Sequence, residues 1–285
     1  AQAAITSRWK CIVPLGCPVV PEVKAMMQVS SAEVFTLSKP AGLAAARGAG
    51  AGAGVTANLG NAALNSGDAT GDSYSGIENL TGSSLADSLT GDGGANVLDG
   101  GAGNDTLVGG AGSDTLIGGA GSDTADYSAS GSAITLTLAA SGIGSTGDAS
   151  GDSLSGIEQV IGSGLDDQFT LTLGNGWSVD GGAGSDTVHL AAGSGTVSAA
   201  QLSGVLSQVE DIDFTSAGTS ANLTVDASLI QSLVGAGNGS HLTVNFDAGD
   251  TLNVAAGAFY TQSGADYTFY TDASHTTQIA QLTVG

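Results

Sequence analysis

A nine-residue period constrains this chain more than any other feature. From Gly82 to Asp126, five units follow one another without a break in register: GSSLADSLT, GDGGANVLD, GGAGNDTLV, GGAGSDTLI and GGAGSDTAD. Every unit begins with glycine and carries a carboxylate or an amide at its sixth position. A strict period of this kind predicts a stacked repeat architecture rather than a mixed globular core.

The two parts of each unit have different physical requirements. The first six residues, as in Gly100 to Asp105, predict a tight turn with positive φ angles, which glycine adopts without steric cost. The last three, as in Thr106 to Val108, contain one large apolar side chain in a short β-prone run. In a coil of parallel strands these apolar side chains stack inward. They are Leu89, Leu98, Leu107 and Leu116, and Ala125 breaks the row at the end of the block.

If two units form one full coil, turns on the same side of the stack come from alternate units. The facing pairs are then Asp87 with Asp105, Asp105 with Asp123, and Asn96 with Asp114. Because stacked strands lie about 4.8 Å apart, the like charges of the two aspartate pairs repel unless a cation lies between them. A cage of carboxylates and glycine carbonyls suits calcium better than magnesium, which prefers octahedral geometry and keeps its waters.

The units GGAGNDTLV and GGAGSDTLI resemble the GGxGxDxUx nonapeptide of the repeats-in-toxin (RTX) family. A further full match is GGAGSDTVH, from Gly181 to His189, and Gly118 to Asp126 fits except at Ala125. The strong motifs cover about a quarter of the chain, and degenerate flanking repeats extend the resemblance to roughly four-fifths. The resemblance implies an all-β fold, a calcium-bound parallel β-roll or β-solenoid, and export by a type I secretion system.

The residues expected to bind calcium are the sixth-position side chains and the turn glycines. They are Asp87, Asn96, Gly100, Gly101, Gly103, Asp105, Gly109, Gly110, Gly112, Asp114, Gly118, Gly119, Gly121, Asp123, Asp167, Gly181, Gly182, Gly184 and Asp186. Asn175 and Asp180 are weaker candidates. A glycine-rich linker would also be acidic, but it requires neither a fixed phase nor a leucine at the eighth position of each unit.

The charge distribution agrees with this interpretation. The formal net charge is −22, and all five basic residues lie in the first 47 positions. Only two of the 27 acidic residues, Glu22 and Glu33, lie there as well, so the rest of the chain combines 25 acids with no Lys or Arg. Acidic repulsion must therefore be relieved by metal ions, by protonation or by unfolding. Binding of nucleic acid through its phosphates is disfavoured by a surface of this sign.

Composition along the chain predicts five segments. They are residues 1–40, of unassigned role with a short helix near 23–29; an Ala/Gly linker at 41–54; a first repeat block at 55–130; a second, degenerate block at 131–194; and a β-rich capping and secretion region at 195–285. A terminal unit must cover the apolar end of a coil. The side chains expected to do so are Phe259, Tyr260, Tyr267, Phe269 and Tyr270.

A longer repeat lies over the nonapeptides, because residues 66–90 are mirrored at 146–170 with an offset of 80. Asp167 and Asp186 thereby correspond in role to Asp87 and Asp105. Four apolar residues of the connectors, Ile77, Leu80, Ile157 and Val160, are expected to point inward. Glu78 and Glu158 are either turn-capping residues or metal ligands, and a weaker echo at 205–214 keeps an acid as Glu210.

Catalysis is not expected. Gly151-Asp152-Ser153-Leu154 and Asp272-Ala273-Ser274-His275 imitate the nucleophile and base blocks of one hydrolase family. The first block recurs as GDSY at 71–74, in the matching place of the long repeat, which favours a structural connector. The sequence also contains no HExxH and no GxSxG motif.

The N-terminal region adds little to the functional assignment. Cys11 and Cys17 are compatible with a local disulfide or with two free thiols, and a zinc site is disfavoured because no His lies nearby. No apolar run is long enough for a transmembrane segment, and the start does not resemble a secretory signal. Ala1 rather than Met begins the chain, which leaves open an origin in a longer precursor.

Three functional classes fit these features. The favoured one is a secreted extracellular or cell-surface structural protein, such as an adhesin or surface-layer component, that folds when it binds several Ca²⁺ ions. The second is the export and folding module of a secreted hydrolase. The third is a partner-binding subunit that docks through its basic N-terminal arm, and self-assembly or a cell-surface partner is compatible with the first and third.

Overall fold

The structure is a computed structural model, and it describes most of the chain. The described residues are 53–191, 197–215, 222–235, 241–246, 249–271, 273–275 and 277–285, together with the backbone of two short strands at 26–28 and 45–47. Cys11 and Cys17 lie outside these ranges.

Short strands dominate the chain. The first are β1 (Met26–Gln28), β2 (Ala45–Arg47), β3 (Thr56–Asn58), β4 (Asn79–Thr81), β5 (Ser88–Thr90), β6 (Val97–Ala102), β7 (Thr106–Val108), β8 (Thr115–Ala120), β9 (Thr124–Asp126), β10 (Thr135–Leu138), β11 (Gly142–Thr146) and β12 (Ser153–Ser155). They are followed by β13 (Gln159–Ile161), β14 (Gln168–Leu171), β15 (Ser178–Asp180), β16 (Thr187–Leu190), β17 (Leu206–Ser207), β18 (Asp211–Asp213), β19 (Asn222–Val225), β20 (His241–Asn245), β21 (Thr251–Val254), β22 (Phe259–Ser263), β23 (Asp266–Tyr270) and β24 (Gln278–Val284). The helices are α1 (Ala199–Ser203), α2 (Ala227–Val234) and 3-10 turns at Ala62–Leu64, Gly67–Ala69 and Gly147–Ala149.

Two large sheets form the two walls of a coil. One has the order β1-β2-β4-β6-β8-β12-β11-β10-β14-β16-β18-β20-β24-β23-β22, and the other has the order β17-β15-β13-β9-β7-β5-β3. Consecutive strands alternate between the walls from β3 to β9, so two nonapeptides complete one coil, as the period predicts. The pairing is parallel throughout this block. The all-β prediction with a parallel β-roll is confirmed.

The recurring apolar residues form the core between the walls. Leu89 pairs in register with Leu107, and Leu98 pairs with Leu116 on the opposite sheet. All four side chains are buried, and Ala125 continues the row as a smaller buried residue. The connector residues Ile77, Leu80, Ile157 and Val160 are buried as predicted. Burial of each leucine contributes about 1.5–3 kcal/mol, so the leucine rows stabilise the first repeat block.

An antiparallel insertion interrupts one wall. Strand β11 pairs antiparallel with both β10 and β12, whereas β12 continues the parallel ladder from β8, and β10 continues it to β14. The other wall remains parallel here, because β13 pairs with both β9 and β15. The stack is therefore continuous across positions 130 and 131, where the sequence suggests a division between two repeat blocks.

The C-terminal end differs in part from the predicted aromatic cap. Phe269 is buried, but Phe259 and Tyr260 are 42% and 39% exposed, because β23 and β22 continue one wall beyond β24 as antiparallel strands, with β22 at its edge. Leu229, Ile230 and Leu233 of α2 are buried instead, and this helix packs against β17, β20 and β24. The apolar end is thus covered largely by a helix.

The structure of the N-terminal region also differs from the prediction. Residues 26–28 form a strand rather than a helix, since β1 pairs parallel with β2 and the ladder overrides local helix propensity. Strand β2 lies inside the range 41–54 that the sequence suggests is a linker, and it pairs with β4 of the stack.

Within the described ranges, no helix has the length and apolar character needed to cross a membrane.

Candidate metal centre

The sixth-position side chains are stacked by hydrogen bonds between successive coils. The backbone N–H of Asp87 donates to Oδ1 of Asp105, and that of Asp105 donates to Oδ1 of Asp123, both at 2.8 Å. On the other side of the stack, Asn96 N–H donates to Oδ1 of Asp114 at 2.8 Å. These are the facing pairs that the alternate-unit arrangement predicts.

Three ladders arise in this way, each running along one side of the stack. The first ladder is Asp87, Asp105, Asp123 and Glu158; the second ladder is Asn96, Asp114 and Asp152; the third ladder is Asp167, Asp186 and Glu210. Two of them end on a glutamate whose Oε2 accepts the last backbone N–H. Glu158 and Glu210 therefore lie at the ends of these two ladders.

Four ladder aspartates retain an oxygen with no partner. Oδ2 of Asp105, Asp114, Asp123 and Asp186 is buried and has no hydrogen bond. The four residues are at most 1% exposed. A buried polar atom that lacks a partner is costly, and a buried charge more so. These oxygens require a cation, a proton or both.

The first glycine of each of these units keeps the space beside the free oxygen open. A Cβ built on Gly118 would lie 2.7 Å from Asp123 Oδ2 and would overlap the carbonyl oxygen of Gly156 in the next coil. A Cβ on Gly181 would likewise lie 2.6 Å from Asp186 Oδ2 and would overlap the carbonyl oxygen of Gln208. A carboxylate oxygen and a carbonyl oxygen of the next coil thus converge on one position.

The other two predicted aspartates are already satisfied. Asp87 accepts from the backbone N–H groups of Val55 and Ser83 and from the Ser83 hydroxyl. Asp167 accepts from the backbone N–H groups of Ile134 and Ser163 and from the Ser163 hydroxyl. Their oxygens have ordinary donors within the protein itself.

Burial changes the protonation equilibria of Asp105, Asp114 and Asp186. Burial raises the pKa of both Asp114 and Asp186 to about 7, and nearby acids add to the increase. Burial also raises the pKa of Asp105. Since residues 48–285 contain no Lys or Arg, no side chain of this region can supply a permanent positive charge. An ion from solution is the available counter-charge near neutral pH.

Calcium fits this set of ligands. Its preference is for carboxylate and carbonyl oxygens in flexible geometry, which the turns offer. Among the described residues there is no group of three or more His, Cys, Asp and Glu side chains close enough to share a metal ion. This follows from the architecture, because each turn contributes one side chain and its other oxygens are backbone carbonyls. A bound ion would neutralise the ladder charge and join adjacent coils.

The remaining candidates are distributed unevenly. Asn175 lies exposed in a turn, and Asp180 accepts from Gly182 N–H and from Gln208 Nε2, so both lie apart from the free oxygens.

Sequence analysis missed Asp152, whose Oδ1 accepts from Asp114 N–H and whose Oδ2 accepts from the Tyr127 hydroxyl. Its recurrence with Asp72 in the long repeat was the available signal. Asp72 is buried as well, but its Oδ2 has no hydrogen-bond partner, unlike that of Asp152.

Comparisons with known proteins identify the repeats. The model of the RTX calcium-binding nonapeptide repeat (HemolysinCabind) matches residues 72–107, 90–125 and 178–197, so the chain carries RTX repeats. No curated protein matches the chain. One similar solved structure is the crystal structure of the extracellular lipase LipA from Serratia marcescens, with 16% identity and a TM-score of 0.24. The match covers 70% of this chain and 37% of the lipase chain.

Proposed function

We propose that this chain, which carries RTX calcium-binding repeats, is a secreted extracellular or cell-surface structural protein that folds when calcium binds. The buried free oxygens of the ladders carry this proposal, with Asp105, Asp114 and Asp123 in the first block and Asp186 in the second. Each belongs to a unit in which a glycine keeps space for a ligand. Calcium binding free energy then becomes folding free energy, because the ligands come together only in the coil.

The same chemistry suits export. At low free calcium the acidic repeats lack counter-charges, and repulsion among them favours an expanded chain that an exporter can thread. Higher calcium outside the cell supplies the missing charges, and the coil forms there. The RTX resemblance supports a type I secretion apparatus as the exporter, and the working part of the protein is the folded roll itself.

A structural role without catalysis accords with the position of the hydrolase-like block. Asp152 of that block contributes its carboxylate to the second ladder and to Tyr127, and Ser153 lies in β12 against β8 of the wall. Both residues thereby have a structural task. Substitution Ser153→Ala should leave any ester-hydrolysing activity of a purified sample at the level of the unaltered protein.

Circular dichroism tests calcium-coupled folding. Near neutral pH, the full chain stripped of metal with a chelator should show a weaker β signal and a lower melting temperature, and both should increase on addition of calcium. Magnesium at the same concentration is the matched control, and it should restore much less of the signal. Equal β content with chelator and with calcium would refute the proposal.

Export is tested separately in a Gram-negative host. The chain should reach the medium only when a type I secretion apparatus is present. Release that is unaffected by deletion of the apparatus would contradict this part of the proposal and would leave calcium-coupled folding untouched.

A further inference from the structure

Two kinds of turn occur in the nine-residue units, and they differ at the second residue. In four units this residue is glycine with a positive φ: Gly101 (99°), Gly110 (88°), Gly119 (111°) and Gly182 (98°). In three others it is Ser83, Asp92 or Ser163, none of which has a positive φ. We call the first kind open units and the second kind closed units.

Closed units satisfy their own sixth residue. The backbone N–H of Ser83 donates to Oδ2 of Asp87, and the backbone N–H of Ser163 donates to Oδ2 of Asp167, both at 2.5 Å. In the third closed unit, Asp92 N–H donates to Oδ1 of Asn96 at 2.8 Å. The side-chain oxygen at position six is thereby occupied by a donor of the same turn.

In two of the closed units, the serine hydroxyl donates a further hydrogen bond to the same carboxylate. The Ser83 hydroxyl donates to Oδ1 of Asp87 at 3.0 Å, and the Ser163 hydroxyl donates to Oδ1 of Asp167 at 2.7 Å. Both serines are buried, at 9% and 2% exposure. A carboxylate that accepts several hydrogen bonds of this kind is stabilised as an anion without any metal ion.

Open units lack that internal donor. Oδ2 of Asp105, Asp114, Asp123 and Asp186 has no partner, and each of these residues belongs to a unit with glycine at position two. A side chain at position two of an open unit would also collide with a backbone carbonyl oxygen of the preceding coil. A Cβ on Gly101 would lie 2.6 Å from the carbonyl oxygen of Ser83, and one on Gly110 would lie 2.5 Å from that of Asp92.

We infer that the second residue of each nine-residue unit decides whether that unit binds calcium. Units with glycine there bind an ion through Asp105, Asp114, Asp123 or Asp186, and units with serine there, containing Asp87 or Asp167, bind none. This inference rests on the proposed calcium-dependent function and narrows it to particular turns.

The placement of the closed units has a structural purpose. Asp87 begins the first ladder and Asp167 begins the third, so each Ser-closed unit lies at the entry of a row of ion-binding turns. Val55 and Ile134 donate to these two aspartates from the chain segments that precede the ladders. The first aspartate of each of these ladders is thus fixed by hydrogen bonds within the protein, and the ions bind in the open units that follow it.

Equilibrium dialysis of the full chain against radioactive calcium counts bound ions and tests the rule. Asp105→Asn should lose at least one ion per chain relative to the unaltered protein. Its matched variant Asp87→Asn, one coil away in the same ladder, should keep the full count. Asn96 occupies the same position in a closed unit, which indicates that asparagine is accepted in such a turn.

Opening a closed unit is the converse experiment. Ser83→Gly removes the hydroxyl donor and permits a positive φ, so the count should rise by one ion. Asp167→Asn and Ser163→Gly repeat both comparisons in the third ladder if a variant of the first ladder does not fold, as judged by circular dichroism in calcium.

The outcomes separate the two claims. Unaltered protein that binds no calcium refutes the proposed function. Unaltered protein that binds calcium, together with loss of an ion in Asp87→Asn or an unchanged count in Ser83→Gly, refutes the inference alone.

Discussion

The backbone N–H of Asp105 donates to Oδ1 of Asp123, one coil further along the stack, at 2.8 Å. Oδ2 of the same Asp123 is buried and has no partner. One carboxylate therefore has two tasks, because one oxygen joins successive coils and the other remains available to an ion. Replacement of aspartate by asparagine separates these tasks, since the amide keeps an acceptor for the backbone and loses the charge.

The first prediction follows from this division of tasks. In calcium, Asp123→Asn should lower the free energy of unfolding by about 1–3 kcal/mol, because an ion ligand is lost. In chelator, the same substitution should be neutral or stabilising, because it removes a buried charge that has no counter-charge. Thermal melts followed by circular dichroism measure both values.

Asp92→Asn is the matched control for this change, since the Asp92 side chain is exposed and its Oδ1 accepts only from Gly94 N–H within the same turn. It should change stability by less than about 0.5 kcal/mol in either condition. An equal loss for Asp123→Asn with and without calcium would show that the residue acts only through its backbone contact.

The second prediction concerns pH without calcium. Burial raises the pKa of Asp114 and Asp186 to about 7, well above the value near 3.9 of an unfolded aspartate. Between these values the folded chain binds more protons than the unfolded chain, so stability falls as pH rises from about 4 to 7 and then levels off. In chelator, the midpoint of thermal unfolding should therefore be higher at about pH 5 than at about pH 8.

Calcium should reverse this dependence, because ions and protons compete for the same oxygens. The stabilisation gained on adding calcium should grow as pH rises through about 7. Asp114→Asn should flatten the pH profile in chelator, whereas Asp92→Asn, which removes one of the charges that raise the pKa of Asp114, should change its shape less. A chelated protein that becomes more stable between about pH 5 and pH 8 would contradict the assignment of buried protonated acids.

The stack could be predicted from the sequence because its information is local and periodic. A leucine at the eighth position and a glycine at the first recur in register, so the inward row through Leu98 and Leu116 follows from the period alone. The facing acids follow for the same reason, since parallel pairing without register shifts brings equivalent positions together.

Other features depend on contacts that the period does not encode. Whether Asp87 is free or satisfied depends on the backbone angle of Ser83, which the general pattern of the repeat leaves out. The antiparallel strand β11 arises where the nine-residue period stops. Helix α2 does have a local signal in the sequence, since Asp226 is an N-cap residue that accepts a hydrogen bond from Leu229 N–H.

The third prediction tests the space beside the free oxygens. Gly118→Ala should destabilise the calcium-bound protein by about 1–3 kcal/mol and weaken calcium binding, because the new methyl group would overlap the carbonyl oxygen of Gly156 and crowd Asp123. Gly131→Ala is the control, since a Cβ at Gly131 meets nothing within 4 Å. Calcium titrations and melts of the two variants should differ clearly, and similar values would argue against a filled site at Gly118.

The fourth prediction concerns the end of the second ladder. The Tyr127 hydroxyl donates to Oδ2 of Asp152 at 2.9 Å, and both residues are buried. Tyr127→Phe would leave that carboxylate oxygen without a donor, in the same condition as Oδ2 of Asp114 one coil away. The free energy of unfolding in calcium should fall by about 1–3 kcal/mol, the usual cost of an unsatisfied buried acceptor.

Tyr260→Phe serves as the control for the loss of a hydroxyl group, because Tyr260 is 39% exposed and water can solvate its ring edge. It should change stability by less than about 0.5 kcal/mol. The difference between the two variants isolates the bond to Asp152 from any general effect of removing a phenol oxygen. Urea unfolding of both variants in saturating calcium measures it, and equal midpoints would mean that solvent or an ion replaces Tyr127 at the ladder end.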